Sequence, residues 1–304
     1  MIDYDVHDWG SHLLDVKGSM VREIVGRVLT CVVWSALVVG YDKFVTPVSV
    51  PSTVHTLVGT ALGLLLVFRT NASYDRFWEG RRMWGGIVNE TRNLARAACV
   101  HLKDDPALLG EVVRWTVAWA YAAMHSLRGR SDIGPVAARL PSPEVEAAIG
   151  AQHTPLAVAT RLSQTLNEAR ARGLITDYIQ VALDQNVQLL IDYLGACERI
   201  RKTPLPFAYV VHLRRALILY CFTLPFALVK DFGWGTILDT LLVTYVFFGI
   251  EEIGVEIEDP FGEDDNDLPL EGICATIEQN LLGLLESRGQ CPESRGQIAV
   301  AGGP

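Results

Sequence analysis

Three side chains recur every four residues in an apolar stretch of the chain: Thr60, Leu64 and Phe68. On an α-helix this spacing keeps them within about 80° of one face and spreads them over about 12 Å of the axis. Repeated around a symmetric ring of identical chains, they would form three stacked constrictions. Water in an apolar constriction loses hydrogen bonds, so ions meet a dehydration barrier there. Ordinary helix packing through the nearby small residues Gly59 and Gly63 is the alternative interpretation.

A second group of residues could bind a metal ion, because four carboxylates and an amide follow one another at residues 263–267, with the sequence EDDND. Closely spaced hard oxygen atoms are the ligands that Ca²⁺ prefers. The run lacks the spacing and the glycine of an EF-hand loop. A calcium site and a solvated acidic loop are therefore both open interpretations.

Four stretches are long and apolar enough to cross, or nearly cross, a bilayer, which takes about 20 helical residues. We predict membrane helices at residues 24–44, 50–68, 207–229 and 233–255. Half of the 304 residues are hydrophobic and the mean hydropathy is +0.24, a value that soluble chains of this length rarely reach. Apart from Arg27 and Asp239 near their ends, we expect these stretches to be nearly free of charge.

The rest of the chain has a helical pattern, with apolar residues three and four positions apart. We predict an all-α integral membrane protein whose four transmembrane helices continue into a cytoplasmic helical region at residues 69–206 and 256–286. The final residues, 287–304, resemble a disordered tail. Residues 1–304 then form a single domain, and the acidic N-terminal segment predicts no cleaved signal peptide.

Basic residues flank the long connection between the second and third stretches. They are Arg69, Arg76, Arg81, Arg82, Arg92 and Arg96 at its start, and Arg199, Arg201 and Lys202 at its end. By the positive-inside rule these flanks are cytoplasmic, and so are both termini. The charged residues 69–82 fit either a solvated interfacial face with ion pairs or the lining of an aqueous vestibule.

Two classes of function are disfavoured by the sequence. A net charge of -9 argues against a nucleic-acid partner, which needs clustered Lys and Arg. Ser-His-Asp order, HExxH and phosphate-binding glycine loops are missing, and the seven histidines are dispersed. We therefore expect no enzyme activity, and we expect ions, lipids and further copies of the chain as partners.

The segment that follows the stripe, FRTNASYDRFWEGRRMWGGIVNETRNLAR, resembles the signature of the bestrophin family of ion channels. The resemblance extends to RKTPLPFAYVVHLRRALILYCFTLPF and to IEDPFGEDDNDLPL, so it covers most of the chain. Bacterial members match most closely. The resemblance implies a multi-pass protein of the bacterial inner membrane that assembles as a homopentamer around a central pore.

The same resemblance assigns roles to individual residues. It implies neck rings at Thr60, Leu64 and Phe68, where threonine replaces the bulky apolar residue that is usual at the first ring. It implies a second, cytoplasmic aperture at Tyr178 with Ile179 beside it.

The resemblance also implies a calcium clasp like that of animal bestrophins. Asp264 and Asp267 would supply side-chain ligands, and Glu256 and Asp259 would supply backbone oxygens. Asn266 departs from the fully acidic pattern, and no cofactor is required by the resemblance.

The predicted function is passive conduction of monovalent ions through the hydrophobic neck. The likeness to bacterial members favours monovalent cations such as sodium. A channel of the same architecture for chloride or another anion is the alternative, and a membrane scaffold that does not conduct is the second alternative.

Overall fold

The computed structural model describes residues 18–289, with side chains to residue 286. Helices make up most of this range, and it contains no β-strand. Its nine α-helices, numbered here in chain order, are α1 Val21–Phe44, α2 Ser52–His101, α3 Pro106–Leu127, α4 Ser142–Ile149, α5 Thr154–Ala171, α6 Asp177–Lys202, α7 Phe207–Phe232, α8 Thr236–Glu256 and α9 Leu270–Gly289. The all-α prediction is confirmed.

Three continuous helical runs in the described range are long and apolar enough to cross a membrane: α1, α2 and Phe207–Glu256. The third run consists of α7 and α8, joined by the short 3-10 helix Gly233–Gly235. Gly233 has φ +55°, a left-handed conformation that glycine adopts without strain. Arg214 and Glu251, at similar sequence distances from this turn, pair at 2.8 Å, so α7 and α8 are antiparallel.

Helix α2 is much longer than the predicted second stretch, which ends at residue 68. It runs for 50 residues, or about 75 Å, through to His101. Hydropathy shows only where the apolar part of the helix ends. The helix itself continues through more polar residues. Gly80 and Gly86 lie within this helix, at positions where other side chains occupy the space that a Cβ would need. A Cβ on Gly80 would lie 3.0 Å from Pro260, and one on Gly86 would lie 2.5 Å from Tyr193.

The predicted start of the C-terminal tail also needs a correction. Residues 287–289, predicted as part of a disordered tail, belong to α9. Residues 290–304 of that tail, and the N-terminal residues 1–17, lie outside the described range.

The described chain divides into two compact units, the first comprising the residues up to Arg81 together with Arg199–Leu268. In this unit α1 packs against both α7 and α8. Buried positions in α1 are three and four residues apart, so one face of the helix enters the core. That core contains Ile24, Val28, Cys31, Leu62, Leu66, Leu213, Leu217, Cys221 and Phe248.

The second unit comprises Arg82–Glu198 and the residues from Pro269 onward. Helix α3 is its centre and packs against α5 and α9. Asp105 caps its N-terminus, because the carboxylate accepts the N–H of Leu108. Pro106 is the first helical residue, a position that favours proline. The indole rings of Trp84, Trp115 and Trp119 are fully buried in this unit.

Candidate functional site

The predicted neck residues lie on an exposed face of α2. Leu64 and Phe68 are each 56% exposed, and Thr60 is exposed as well. Leu62 and Leu66, on the opposite face, are 2% and 1% exposed and belong to the core of the first unit. Helix α2 therefore has one apolar face buried within its own chain and a second apolar face that is open.

Two threonines in the first part of α2 hydrogen-bond their hydroxyl groups within the helix. Thr60 donates to the carbonyl of Thr56 at 2.9 Å, and Thr56 donates to that of Ser52 at 3.1 Å. The two small residues beside them differ in their surroundings. A Cβ on Gly59 would lie 2.6 Å from the hydroxyl of Tyr220, whereas one on Gly63 would meet nothing within 4 Å. Packing thus explains Gly59 but not Gly63.

Arg69, directly after Phe68, is not part of an exposed interfacial face. Its side chain is 1% exposed, with the guanidinium 3.5 Å from Glu258 and 3.8 Å from Glu251. It lies against Gly254 of α8, where a Cβ would come within 3.3 Å of Arg69 Nε. A buried guanidinium requires such opposite charges, because desolvation of an isolated ion is very costly.

Glu251 of α8 is the centre of this charge cluster. It is 3% exposed, accepts a hydrogen bond of 2.8 Å from Arg214 Nε of α7, and lies 3.7 Å from Arg27 of α1. Arg27 also donates to the neighbouring carboxylate of Glu252. Arginines of α1, α2 and α7 thus converge on α8 at the level just after Phe68.

The expectation that the apolar stretches are nearly free of charge is therefore wrong. Arg214 lies within the third stretch, and Glu251 and Glu252 lie within the fourth. Charges within such segments are tolerated when they pair with one another inside the protein. These charges lie a few turns from the ends of separate helices, and this was the sequence signal for the cluster. The sequence does not show which charges pair with one another, and the structure was needed to see it.

Arg76 connects α2 to two other parts of the first unit. Its Nε donates to the carbonyl of Glu258 at 3.1 Å, and its Nη2 donates to that of Ile200 at 2.7 Å. Its Nη1 donates to the carbonyl of Thr203. Ile200 and Thr203 lie at the end of α6, where carbonyls lack helical donors. Arg76 therefore caps α6 and holds the segment after α8.

The other charged residues of this region divide into two groups. Glu79 pairs with Arg199 at 2.7 Å. Asp75, Arg81 and Arg82 are exposed. Residues 69–82 thus include both ion-paired and exposed charges. The sequence left two interpretations of these charges open, an interfacial face with ion pairs and a vestibule lining.

The residues predicted for the aperture lie at the start of α6. Tyr178 is 88% exposed, and Ile179 is half-buried. Both belong to the second unit. The exposed phenol ring is available for contacts beyond its own chain.

The acidic loop folds around Asp267, which is 3% exposed. Asp267 Oδ2 accepts the N–H of Asp264 at 2.8 Å, and the N–H of Asp267 donates to the carbonyl of Asp264 at 3.0 Å. Burial raises the pKa of Asp267 to about 6, and the carboxylates of Asp264, Asp259 and Glu256 add to this effect. Asp264 itself is exposed.

An amide group closes the other side of this loop. Asn266 Nδ2 donates to the carbonyl of Gly18 and to Glu256 Oε1, each at 3.1 Å. Asp259 Oδ1 accepts the N–H of Phe261 at 3.3 Å. The carboxylates of Asp267, Glu256 and Asp259 therefore accept hydrogen bonds from N–H groups of the protein. In a calcium site, the cation would be their partner instead.

A cavity of about 710 Å³ lies beside the loop, lined mainly by acidic side chains and by residues 18–20. Within residues 18–289, no three His, Cys, Asp or Glu side chains are arranged to hold a metal ion. The oxygen atoms present suit calcium in type, but backbone carbonyls would have to complete the coordination.

Comparison with known proteins identifies the family of this arrangement. Residues 1–283 match the bacterial and fungal bestrophin proteins. The chain belongs to the bestrophin family. A crystal structure of a bacterial bestrophin homologue from Klebsiella pneumoniae superposes with a TM-score of 0.80 at 31% identity, covering 86% of this chain and 98% of that one.

Relatives of this bestrophin-family chain include proteins named for anion conduction. A voltage-dependent anion channel-forming protein of Nostoc is 41% identical over 278 residues, covering 90% of each chain. One of Synechocystis is 39% identical over 282 residues, covering 91% of this chain and 92% of that one. The resemblance found in the sequence is confirmed, and the bestrophin family is a family of ion channels.

Proposed function

We propose that this bestrophin-family chain is the pore-forming subunit of an anion channel, with chloride as a representative ion. The observation that carries the proposal is the open apolar face of α2, where Leu64 and Phe68 are each 56% exposed beside a buried face of the same helix. Five copies of this face around one axis would form a hydrophobic neck. Ions would cross it passively when it is wide enough to hold water.

The choice of anions departs from the sequence-based preference for sodium. The relatives at 41% and 39% identity are named as anion channel-forming proteins, and this supports the anion alternative. Exposed arginines on α2 beyond the neck, Arg81, Arg82, Arg92 and Arg96, support it as well. A basic surface near an ion pathway raises the local concentration of anions.

The assembly that we propose is a homopentamer with four membrane crossings per subunit. Its termini lie in the cytoplasm, and it resides in a bacterial inner membrane. Helices α1, α2, α7 and α8 would be the crossings, and the arginine-rich second half of α2 would be cytoplasmic. Within this assembly Thr60, Leu64 and Phe68 form the neck, and Tyr178 with Ile179 forms the aperture.

Calcium regulation is a separate proposal. The cation would bind between Asp264 and Asp267, with the backbone oxygens of Glu256 and Asp259 completing the site. Burial is the main reason that the pKa of Asp267 is raised to about 6, and the nearby carboxylates of Asp264, Asp259 and Glu256 raise it further. Support comes from this second effect, because a cation there would relieve the repulsion between the carboxylates. The amide of Asn266 on Glu256 is a contact that calcium binding would have to accommodate.

The ion proposal is tested with purified protein in planar bilayers under a salt gradient. An anion channel gives a reversal potential close to the equilibrium potential of chloride when sodium chloride is asymmetric. A potential close to that of sodium would restore the cation interpretation. Discrete current steps separate either channel from a scaffold that does not conduct.

A further inference from the structure

Two cavities lie one after the other along α1 and α7 on the surface of the first unit, and together they are called the groove here. Its first part is a cavity of about 420 Å³ whose lining includes Arg27, Arg214, Ile218, Phe222 and Phe248. Its second part, of about 250 Å³, is lined by side chains that include Trp34, Leu37, Tyr41 and Phe226. Both parts lie along the same two helices, one after the other.

Trp34 stands between the two parts of the groove. Its Nε1 donates to the carbonyl of Phe222 at 2.8 Å, and its ring centroid lies 6.0 Å from that of Phe222. Measured along α1 from Arg27 to Tyr41, the groove is about 21 Å long at 1.5 Å per residue. One leaflet is about 15 Å thick, half of the roughly 30 Å hydrocarbon layer, so an acyl chain that begins at Arg27 would reach about as far as Leu37.

The groove has a charged end and an apolar body. The side chains of Arg27 and Arg214 are 47% and 49% exposed, while the carboxylates of Glu251 and Glu252 beneath them are 3% and 11% exposed. Each arginine uses one nitrogen for a hydrogen bond to these carboxylates, through Arg27 Nη1 and Arg214 Nε. The buried carboxylates hold the two guanidinium groups, and about half of each arginine side chain stays exposed.

The order of these features matches an amphiphile with an anionic head. Guanidinium groups bind phosphate through paired N–H donors, and arginine is well suited to this geometry. Arg27 and Arg214 lie about 9–10 Å from the ends of α1 and α7 that we propose to be cytoplasmic. Anionic headgroups are enriched at that membrane surface, and the acyl chain would extend toward Tyr41.

We propose that this groove binds one phospholipid with an anionic headgroup. Its phosphate contacts Arg27 and Arg214, and one acyl chain lies between α1 and α7. The site is distinct from the neck and from the acidic loop, and it does not depend on which ion the channel conducts. The lipid would stabilise the packing of α1 against α7.

The experiment is a titration of the delipidated, purified protein with phosphatidylglycerol or phosphatidylcholine of identical chains, followed by native mass spectrometry. We expect phosphatidylglycerol to bind roughly tenfold more tightly, because its headgroup keeps the net negative charge of the phosphate, whereas the choline ammonium of phosphatidylcholine offsets that charge. Ile218→Trp fills the groove without removing a charge and should reduce phosphatidylglycerol binding by a similar factor. Leu219→Trp is the matched control, because Leu219 is exposed on α7 but does not line the groove.

A second variant tests the headgroup contact. Arg27→Gln with Glu252→Gln removes an ion pair without leaving either charge alone, and it should reduce the preference for phosphatidylglycerol over phosphatidylcholine. Equal binding of both lipids to the wild type would overturn the proposal. So would unchanged binding to Ile218→Trp, or cross-linking of a cysteine at position 218 to a second copy, which would place a subunit interface in the groove.

Discussion

At the scale of single residues, Asp267 is a buried carboxyl group with a raised pKa at the centre of the acidic loop. Its pKa is raised to about 6 by burial and by neighbouring carboxylates, whereas an unfolded aspartate has a pKa of about 3.9. Between these values the folded chain binds more protons than the unfolded chain. The free energy of unfolding therefore falls as the pH rises from about 4 to about 7.

Asp267→Asn should remove this dependence, because the amide imitates the protonated carboxyl group. We expect the variant to be more stable than the wild type at pH 7.5 by about 1–2 kcal/mol, and the difference to vanish near pH 4. Thermal unfolding in detergent at several pH values measures this. Parallel pH profiles for the two proteins would show that Asp267 does not carry the effect.

Asp264→Ala combined with Asp267→Ala tests the calcium proposal. The double variant should abolish any calcium-dependent shift in melting temperature or conductance, because both proposed side-chain ligands are gone. Asp265→Ala is the control, since this exposed residue belongs to the same run but to no proposed ligand set. A wild-type protein that shows no response to calcium would end the proposal.

At the scale of helices, the sequence predicts those features that depend on periodicity. The four-residue spacing of Thr60, Leu64 and Phe68 predicts one shared face, and in the structure these side chains are exposed while Leu62 is buried; their role in a neck stays a prediction. The continuation of the membrane helices was predicted, but hydropathy could not show that α2 runs unbroken to His101, because hydropathy follows the bilayer and not the helix. The partners of Glu251 were missed because they come from three helices far apart in sequence.

Glu251→Ala should destabilise the packing of these helices. It would leave Arg69 and Arg214 without one shared carboxylate, at a cost of about 1–3 kcal/mol, less than for a fully buried pair because Arg214 is half-exposed and Arg69 keeps Glu258. Glu23→Ala, an exposed glutamate on α1, should change stability by less than about 0.5 kcal/mol. Unfolding midpoints measured in detergent distinguish the two. Similar midpoints would mean that the cluster contributes little to packing.

At the scale of the whole molecule, the open apolar face of α2 fits the ring of subunits that we propose. Exposed leucine, valine and phenylalanine side chains on one helix need either lipid or further subunits. Mass measurement of the detergent-solubilised protein should give about five chains, the number that the family resemblance implies. A monomer or dimer as the main species would contradict the ring.

The membrane orientation is tested by labelling introduced cysteines in intact cells. A cysteine in place of Pro47 should react with an impermeant reagent from outside. One in place of the exposed Arg139 should react only after permeabilisation, because the arginine-rich flanks predict that this region is cytoplasmic. The reverse pattern would invert the proposed topology.

The central claim is that Leu64 and Phe68 form the barrier to ion flow. Their side chains are open in the single chain, so truncation removes apolar surface from the proposed pore and creates no enclosed cavity. Leu62 is buried, so Leu62→Ala should cost about 2–5 kcal/mol of stability and leave the barrier intact. Thr60→Ala should have a small effect, because that ring is already small and partly polar.

The most direct measurement is therefore bilayer conductance of Leu64→Ala and Phe68→Ala beside Leu62→Ala, with each assembly first confirmed by mass. We expect the two neck variants to raise conductance or open probability severalfold, because water remains in a wider ring. Leu62→Ala should conduct like the wild type and unfold more easily. Intact assemblies of Leu64→Ala and Phe68→Ala that conduct like the wild type would contradict the proposed neck.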